Sequence, residues 1–507
     1  MDTARFILFA IVTGIATVAA HVYLYRRLFA DTSTSPKWRR VGMGLMTALA
    51  VPLILSWSVT RFIPMDSTFA VATAVWTWMG MSIYLLLSLW VLGGARRVAA
   101  RLSRSRQESN TSVSSLSTEA ASRADAASSG AQARSSLAPT GTDVIAADAA
   151  SAGARSHLSL VETGPEVVAR PINAGSAAME SWARSATGTD AVAPASAAMA
   201  AAAQSSHGAP SPQSPMASAA AGAQPSAPVD AERRRFLARM TAGGAVLASG
   251  SVTGFGMWSA FHPPVVNEVA VKLPGLPKAL DGFTIVHLSD IHVGPVIRRR
   301  FMDELVRRCN ALRPDLMCIT GDLVDGHVET LSPAVSALSE LKSRHGTYFV
   351  TGNHEYYWND AAWADALERM GVHVLRNRHV RIGDAAASFD LLGVDDWSAK
   401  KTGFRQSYDL GAAMAGRDAE RASVLLAHQP SNWKVAAREG VGLQLSGHTH
   451  GGQFFPFTLA VSAIWEHDAG LFHEGERHLY VSRGTGFWGP PLRVGAPPEI
   501  VRVTLLA

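Results

Sequence analysis

Long apolar stretches without a polar face dominate the N-terminal part of the chain. They run from about Arg5 to Tyr25, from about Val41 to Ile63 and from about Phe69 to Gly93. Each is long enough to cross a bilayer, which takes about 20 mainly apolar residues in a helix. A buried helix of a soluble bundle would keep a polar side toward water, and these stretches have none. We therefore predict that residues 1–102 form a membrane domain with three transmembrane helices.

The distribution of positive charge predicts the orientation of these spans. The loop after the first span (residues 26–40) and the segment after the third span (residues 96–106) are rich in Lys and Arg, whereas Arg61 alone lies between spans two and three. Basic loops stay on the cytoplasmic side of a membrane. The N-terminus should therefore face outward, and the third span should end in the cytoplasm. The net charge of +5 is explained by these flanks and does not indicate a nucleic-acid partner.

The apolar pattern disappears over residues 103–230, where Ala, Ser, Gly and Pro predominate. Such a composition buries too little apolar area to offset the entropy of ordering, so it predicts a disordered linker.

A basic motif and a fourth apolar segment follow within residues 231–262. The motif is Arg233-Arg234-Arg235-Phe236-Leu237, and the weakly apolar stretch after it ends near Phe261. This arrangement resembles a twin-arginine export signal, although such signals normally open the chain. A fourth membrane span with basic cytoplasmic flanks is the alternative interpretation. Both place the rest of the chain outside the cytoplasm. We expect a multi-pass protein of the inner (cytoplasmic) membrane with its last domain on the outer, periplasmic face.

Residues 263–507 alternate between the periodicities of strands and helices, which predicts an α/β domain. Amphipathic helical patterns lie near Arg298 to Leu312, Pro333 to Leu341 and Ala361 to Met370. The predicted strands are the apolar runs at residues 283–286, 316–319, 348–350, 391–394, 424–426 and 479–481.

Candidate chemistry follows several of these strands at the point where each one ends, which is where α/β folds gather their active sites. Asp290 and His292 are two apart in extended chain, so their side chains point the same way and can share one ion. The complete set of His, Asp and Asn residues at such strand ends is Asp290, His292, Asp322, Asn353, His354, His428, His448 and His450.

The donor types predict which cofactor these residues hold. Imidazole and carboxylate ligands suit Mn, Fe, Zn, Co or Ni, whereas a Ca²⁺ site would use oxygen alone. The donors are too many for one tetrahedral ion, and two divalent metal ions about 4 Å apart would use them all. Cys309 and Cys318 lie apart from these clusters in the sequence, and we expect two free thiols.

The motif order D-x-H, G-D, G-N-H-E, H and G-H-x-H over residues 281–507 resembles the calcineurin-like metallophosphoesterase family. The resemblance implies a four-layer αββα sandwich. It implies that His354 contacts the phosphate and protonates the leaving oxygen. It also implies that Asp322 bridges two ions, with Asp290, His292 and His450 on the first ion and Asn353, His428 and His448 on the second.

The resemblance extends to a membrane-anchored branch that includes phosphodiesterases and a UDP-2,3-diacylglucosamine hydrolase type. The expected activity is hydrolysis of phosphate ester or pyrophosphate bonds, including those of lipid-linked substrates. The aromatic segments 454–457 and 486–491 line a substrate groove, rest on the bilayer surface or form ordinary core, and these alternatives stay open. A metal-binding sensor without catalysis is one alternative function. A nuclease is the other, and the outward topology argues against it.

Two further expectations concern acidic residues outside the motif positions. Asp325 and Glu355 are either acceptors for the ligating histidines or solvated loop acids. Asp395 and Asp396 follow an apolar strand without matching a ligand position, so we interpret them as turn residues.

Overall fold

The computed structural model describes residues 3–59, 65–132, 228–402 and 407–507. Its N-terminal part is mainly helical, with a short non-helical segment at residues 31–35. The helices are α1 (Thr3–Tyr25), α2 (Pro36–Val59), α3 (Met65–Gln132) and α4 (Pro228–Phe261).

Two of these helices contain stretches that are long and apolar enough to cross a membrane. The stretches are Pro36–Leu55 in α2 and Phe69–Ser103 in α3, which correspond to the second and third predicted spans. The first predicted span forms α1, and the fourth apolar segment forms α4. Within the described part of the chain, neither of these adds a further candidate span by the same criteria.

The predicted linker begins within helix α3. Helix α3 continues to Gln132, so residues 103–132 are helical. Ser is the most frequent residue there and Ala the second, so helix propensity alone does not account for the extension. Residues 133–227 of the predicted linker lie outside the described residues.

The α/β part contains two six-stranded mixed sheets. The first has the strand order β1-β12-β2-β3-β4-β5, and the second has the order β10-β11-β9-β8-β7-β6. The strands are β1 (Val265–Lys272), β2 (Phe283–Leu288), β3 (Leu316–Thr320), β4 (Thr347–Val350), β5 (Val372–Val374), β6 (Arg378–Gly383), β7 (Ser388–Gly393), β8 (Ser423–Leu426), β9 (Leu443–Ser446), β10 (Gly470–Glu474), β11 (Arg477–Val481) and β12 (Glu499–Leu506).

The two sheets pack face to face, and helices cover their outer faces. Ile285 and Cys318 of the first sheet meet Phe389 and Leu445 of the second in one buried cluster. The helices are α5 (Arg299–Ala311), α6 (Val328–Val335), α7 (Asn353–Tyr357), α8 (Asp360–Arg369), α9 (Leu410–Met414), α10 (Trp433–Arg438) and α11 (Phe457–Ile464). Helices α5, α6 and α8 pack on the first sheet, and α9 and α10 pack on the second. This confirms the predicted four-layer α/β fold. Cys309 and Cys318 are both buried and free, as predicted.

Parallel pairing brings the ends of the central strands together. Strands β2, β3 and β4 run parallel to one another, as do β7, β8 and β9. The carboxyl ends of parallel strands meet at one edge of a sheet, so the loops after them converge. Every residue of β2, β3, β8 and β9 is buried. This arrangement fixes the stems of the loops that carry the candidate site.

Helices α3 and α4 share a hydrophobic core with the α/β part. Ala72 and Trp76 of α3 and Ala260 of α4 belong to the cluster that contains Ile291 and Phe487. The described residues within 1–97 and 226–507 accordingly form one compact unit. The aromatic segment after residue 486 is therefore partly core, packed against these helices.

His287 on β2 predicts acid sensitivity of the fold. Burial lowers its pKa to about 3, whereas an unfolded histidine titrates near 6.5. The unfolded state thus binds the proton more readily, so stability falls as pH drops from about 6.5 toward 3, by up to about 1.4 kcal/mol per pH unit. We expect His287→Gln to remove this contribution. Between pH 7.5 and 5.5, wild type should lose about 1.4 kcal/mol more stability than the variant in denaturant titrations of the detergent-solubilised full chain.

The control is His473→Gln, because His473 lies exposed on β10. This control should lose as much stability on acidification as wild type does. Equal losses for wild type and His287→Gln would contradict the prediction.

Candidate metal centre

The loops that carry the candidate ligands adopt an unusual backbone conformation. Positive φ angles occur at Asp290 (52°), His292 (55°), Asp322 (50°), His448 (72°) and His450 (52°). Residues other than glycine occupy this left-handed region rarely, at a cost of order 1–3 kcal/mol each. Such strain persists only where the surrounding structure determines the conformation, and it concentrates at functional sites.

Glycines beside these positions allow the loops to approach each other closely. A Cβ atom on Gly447 would lie 2.0 Å from Ser289 Oγ and 2.1 Å from Asp290 Oδ2. A Cβ atom on Gly352 would lie 2.2 Å from Asp322 Oδ1. The glycines of the G-N-H-E and G-H-x-H motifs are therefore required because no side chain fits between the loops.

The first group of donors consists of Asp290, His292 and His450. Nε2 of His450 lies 3.4 Å from Asp290 Oδ1 and 3.1 Å from His292 Nε2. Asp290 also accepts a hydrogen bond of 2.9 Å from the backbone N–H of His448, which ties this group to the G-H-x-H loop.

The second group consists of Asp322, His428 and His448. Nε2 of His428 lies 3.2 Å from Asp322 Oδ2 and 3.1 Å from His448 Nδ1. The side chain of Asn353 completes this group, with its Oδ1 atom 3.3 Å from His428 Nε2.

Asp322 lies between the two groups. Its Oδ2 atom is 3.2 Å from His428 Nε2 and 4.0 Å from Nε2 of His292 in the first group. Burial alone would raise the pKa of Asp322, but His428 and His354 outweigh burial and hold the pKa well below its usual value. Asp322 is therefore a carboxylate at neutral pH and has an oxygen within reach of both groups.

The arrangement of ring nitrogens fits metal ions. His292 and His450 point their Nε2 atoms at each other, and His428 points Nε2 at Nδ1 of His448. Nδ1 of His428 lies 2.8 Å from the carbonyl oxygen of Thr320 and donates to it, so Nε2 is the nitrogen that faces Asp322 and His448. Burial alone would lower the pKa of His428, but Asp322 outweighs burial and holds the pKa well above its usual value, so Nε2 carries a proton that a metal ion would displace. Burial and then the charge of Arg493 hold the pKa of His450 well below its usual value, so its ring is neutral. Imidazoles and carboxylates converging in this way are a donor set for divalent transition metals.

His354 stands beside this centre and is oriented by Asp325. Its Nδ1 atom donates to Asp325 Oδ1 at 2.5 Å, and its Nε2 atom lies 3.8 Å from Asp322 Oδ2. Asp325 Oδ2 also accepts from His292 Nδ1 at 3.2 Å. Burial alone would lower the pKa of His354, but Asp322 and then Asp325 outweigh it and raise the pKa to about 9. The sequence left open whether Asp325 accepts hydrogen bonds from histidines or is a solvated loop acid, and the structure shows that it accepts them from His292 and His354.

Glu355 has a different role from the two that the sequence suggested. Its buried carboxylate accepts hydrogen bonds from the backbone N–H groups of Gly352, Asp322 and Leu323. Burial and then the charge of Asp322 raise its pKa to about 7. Glu355 thus fastens the G-D loop to the G-N-H-E loop and makes no contact with a histidine among its hydrogen bonds in the described structure.

Two further features were missed by sequence reasoning. Asp395 and Asp396 lie in the loop after β7, as expected, but both are buried. Asp395 pairs with Arg376 at 2.8 Å, so it is a buried ion-pair partner instead of a solvated turn residue. Arg493 is fully buried and places Nη2 3.1 Å from His450 Nδ1. It follows an aromatic Gly/Pro-rich segment in the sequence, and no local pattern there indicates a contact with the G-H-x-H loop.

Aromatic rings surround the donor groups. Tyr357 and Trp488 contact His354, with ring centroids 5.2 and 5.8 Å apart. Trp465 contacts His448 at 5.3 Å. Tyr357 and Trp488 are exposed, so they form a rim at which a ligand could stack while its polar part reaches the metal centre.

Comparison with known proteins gives consistent results. A family model described as calcineurin-like phosphoesterase matches residues 283–452. A Bos taurus protein named transmembrane protein with metallophosphoesterase domain is 41% identical over 274 residues, which cover 52% of this chain and 62% of that protein. An uncharacterized metallophosphoesterase of Aquifex aeolicus is 35% identical over 242 residues, covering 47% of this chain and 91% of that protein. The chain therefore spans less than two thirds of the bovine relative's length and nearly all of the bacterial one.

The position of Asp325 predicts a measurable effect on metal binding. Asp325→Asn removes the negative charge that orients His292 and His354, while it preserves the shape of the side chain. Loss of such an outer acceptor typically costs 10–100-fold in metal affinity or activity. We expect a loss of this size in the affinity of the full-length protein for Mn²⁺ or Zn²⁺, measured by calorimetry. Asp365→Asn on α8 is the control, and equal affinities for both variants would contradict the assigned role.

Proposed function

The chain belongs to the calcineurin-like metallophosphoesterase family, and on that premise we propose that it is a membrane-anchored hydrolase of phosphate ester or pyrophosphate bonds that uses two divalent metal ions. The observation that carries the proposal is the position of the Asp322 carboxylate between two His/Asp groups, 3.2 Å from His428 and 4.0 Å from His292. An oxygen shared in this way is what a two-metal site requires.

The proposed ligands follow from this geometry. Asp290, His292 and His450 would hold one ion, and Asn353, His428 and His448 would hold the other, with Asp322 as the bridge. The left-handed backbone at five of these positions supports the proposal, because strain of that kind is retained where a site needs a fixed geometry. When bound, the two ions would polarise the phosphoryl oxygens and activate the attacking water.

His354 is the proposed general acid. Its Nδ1 proton is engaged by Asp325, so Nε2 is the nitrogen that faces the reacting phosphate. In the metal-free site, Asp322 and then Asp325 outweigh burial and raise the pKa of His354 to about 9. Asp325 would continue to favour a protonated ring when Asp322 is bound to metal. A protonated Nε2 can stabilise charge on the phosphoryl oxygens and deliver its proton to the leaving oxygen as the ester bond breaks.

Lipid-linked phosphoesters are the proposed substrates, and phosphodiesters are included among them. Tyr357 and Trp488 offer apolar faces next to His354, which favours a substrate with an apolar part beside its phosphate. The chain is a membrane protein with two candidate N-terminal spans, so lipid-linked substrates would lie in the same membrane as the protein.

His354→Ala tests the chemistry. We expect turnover to fall about 10²–10⁴-fold, the usual contribution of a general acid, while bound metal is retained. Full-length protein in nanodiscs would be assayed on mono- and bis-(p-nitrophenyl) phosphate with Mn²⁺, Fe²⁺, Zn²⁺, Co²⁺ or Ni²⁺, and metal content would be measured by mass spectrometry. His473→Ala, on an exposed position of β10, is the control. Activity that survives both chelation and His354→Ala would refute the mechanism, and inactivity of the metal-loaded wild type on every ester class would favour a binding module.

The proposed location of the metal centre is the outer, periplasmic face of the inner membrane. The basic residues 26–40 support this proposal, because basic loops remain in the cytoplasm. The twin-arginine-like motif at Arg233 and Arg234 supports the same orientation, because such signals direct the following domain outward.

Cysteine labelling tests this topology. Cys309 and Cys318 are buried, so a cysteine placed on the surface would be the reactive one. A membrane-impermeant maleimide should label Arg307→Cys on α5 in intact spheroplasts. It should label Lys37→Cys, in the first turn of α2, only once the membrane has been opened. The reverse pattern would place the metal centre in the cytoplasm.

A further inference from the structure

Helix α11 is apolar and unusually exposed. Its sequence, Phe-Thr-Leu-Ala-Val-Ser-Ala-Ile, contains no charged residue, and no residue of the helix is buried. Leu459 is 64% exposed and Ile464 is 54% exposed. Phe455 and Phe457 at the start of the helix are exposed as well. A contiguous apolar surface of this kind on a folded domain marks a contact with another molecule or with lipid.

The chain immediately before α11 packs against a candidate membrane span. The ring of Phe454 lies 6.1 Å from the ring of Tyr84 on α3, and both belong to a buried cluster with Leu492. Tyr84 lies about 22 Å along the helix from Phe69, where the candidate span begins, at about 1.5 Å per residue. The hydrocarbon core of a bilayer is about 30 Å thick. The candidate span, Phe69–Ser103, has 35 residues and is about 52 Å long at the same rise, which exceeds the hydrocarbon, so the contact lies on a part of α3 that enters or adjoins the bilayer.

The loop over residues 486–494 is attached to the same helices. A Cβ atom on Gly80 of α3 would lie 2.2 Å from Leu492 Cδ1, so the side chain of Leu492 packs directly on the backbone of Gly80. The backbone N–H of Arg493 donates to the carbonyl oxygen of Gly256 on α4 at 2.9 Å. These contacts attach the loop to α3 and α4, and Trp488 on this loop is exposed.

Both exposed elements are directly connected to the metal centre. Trp465, which follows α11, contacts His448, and Trp488 contacts His354. Gln453, just before α11, donates to the carbonyl oxygen of Trp488 at 2.9 Å, which joins the two elements to each other. Charged residues return immediately after α11, at Glu466 and Asp468.

We propose that α11, with Phe455 and Trp488, inserts into the bilayer that α3 crosses, and that substrate headgroups reach the metal centre from that bilayer. We assign lipid as the partner of the exposed surface formed by α11, Phe455 and Trp488. This surface continues directly from residues packed on a candidate membrane span, and it carries no charged side chain. The second clause rests on the proposed hydrolase function, and the first clause does not.

Fluorescence quenching tests the insertion. Leu459→Cys in the full chain would carry an NBD label, because the two native thiols are buried and do not react. In nanodiscs, we expect nitroxide-labelled lipids to quench this label and aqueous iodide to leave it unaffected. Arg307→Cys on α5 is the control and should show the opposite pattern.

Two outcomes would overturn the insertion. Quenching of the label at position 459 by iodide and not by lipid would show that α11 faces water. Protection from both quenchers would show that α11 is covered by protein, such as a second copy of this chain.

An activity measurement tests the route of the substrate. The double variant Leu459→Lys/Ile464→Lys should lose 10-fold or more of its turnover of a hexadecyl p-nitrophenyl phosphate diester dissolved in the nanodisc lipid, as an order-of-magnitude expectation from the loss of apolar contact. Its turnover of soluble bis-(p-nitrophenyl) phosphate should stay unchanged. Leu506→Lys, at an exposed apolar position on β12, should leave both rates unchanged.

The quenching test and the activity test can fail independently of each other. Equal losses on both substrates would overturn the lipid route and indicate damage to the site. If wild type turned over neither substrate, the proposed function would be wrong, and the quenching result would still decide whether α11 inserts.

Discussion

The buried carboxylate of Asp322 is the group around which the rest of the site is organised. A carboxylate that is removed from water is stable only if positive charge, metal or hydrogen-bond donors compensate it. Here the backbone N–H of His354 donates to Oδ1 at 2.9 Å, and Nε2 of His428 lies 3.2 Å from Oδ2. Glu355 in turn accepts from the backbone of Asp322 itself. The strained loops, the glycines between them and the histidine groups all serve to keep these partners at one point.

Much of the fold and the placement of the candidate residues could be predicted from the sequence, because they depend on local patterns. Strands β2, β3 and β8 are short buried apolar runs, and the motif residues follow directly after them. The structure brings these motif residues together at one edge of the two sheets. Their roles as ligands stay predictions, as do the twin-arginine signal and the face of the membrane. Strand β1 was not predicted because it is a half-exposed edge strand containing Asn267 and Glu268, so it lacks a continuous apolar run.

Contacts between distant parts of the chain could not be predicted. Arg493 reaches His450, and Asp395 pairs with Arg376, through tertiary packing that leaves no periodic signal. Glu499, at the start of β12, is a buried acid whose partners Arg483 and Tyr480 lie on or beside another strand. Buried polar groups of this kind require complete satisfaction by their surroundings. A single sequence shows the acid and the base without showing which pairs meet.

The core that α3 and α4 share with the α/β part has a consequence for how the molecule loses its structure. Ala72 and Ala260 pack in the same buried cluster as Ile291 and Phe487. Pulling the helices away would expose apolar surface beside the strand-end loops, so the helices and the sheets melt together as one cooperative unit. Proteolytic cleavage after Phe261 would then leave an α/β fragment with an exposed apolar surface, which would favour aggregation over an independent soluble domain.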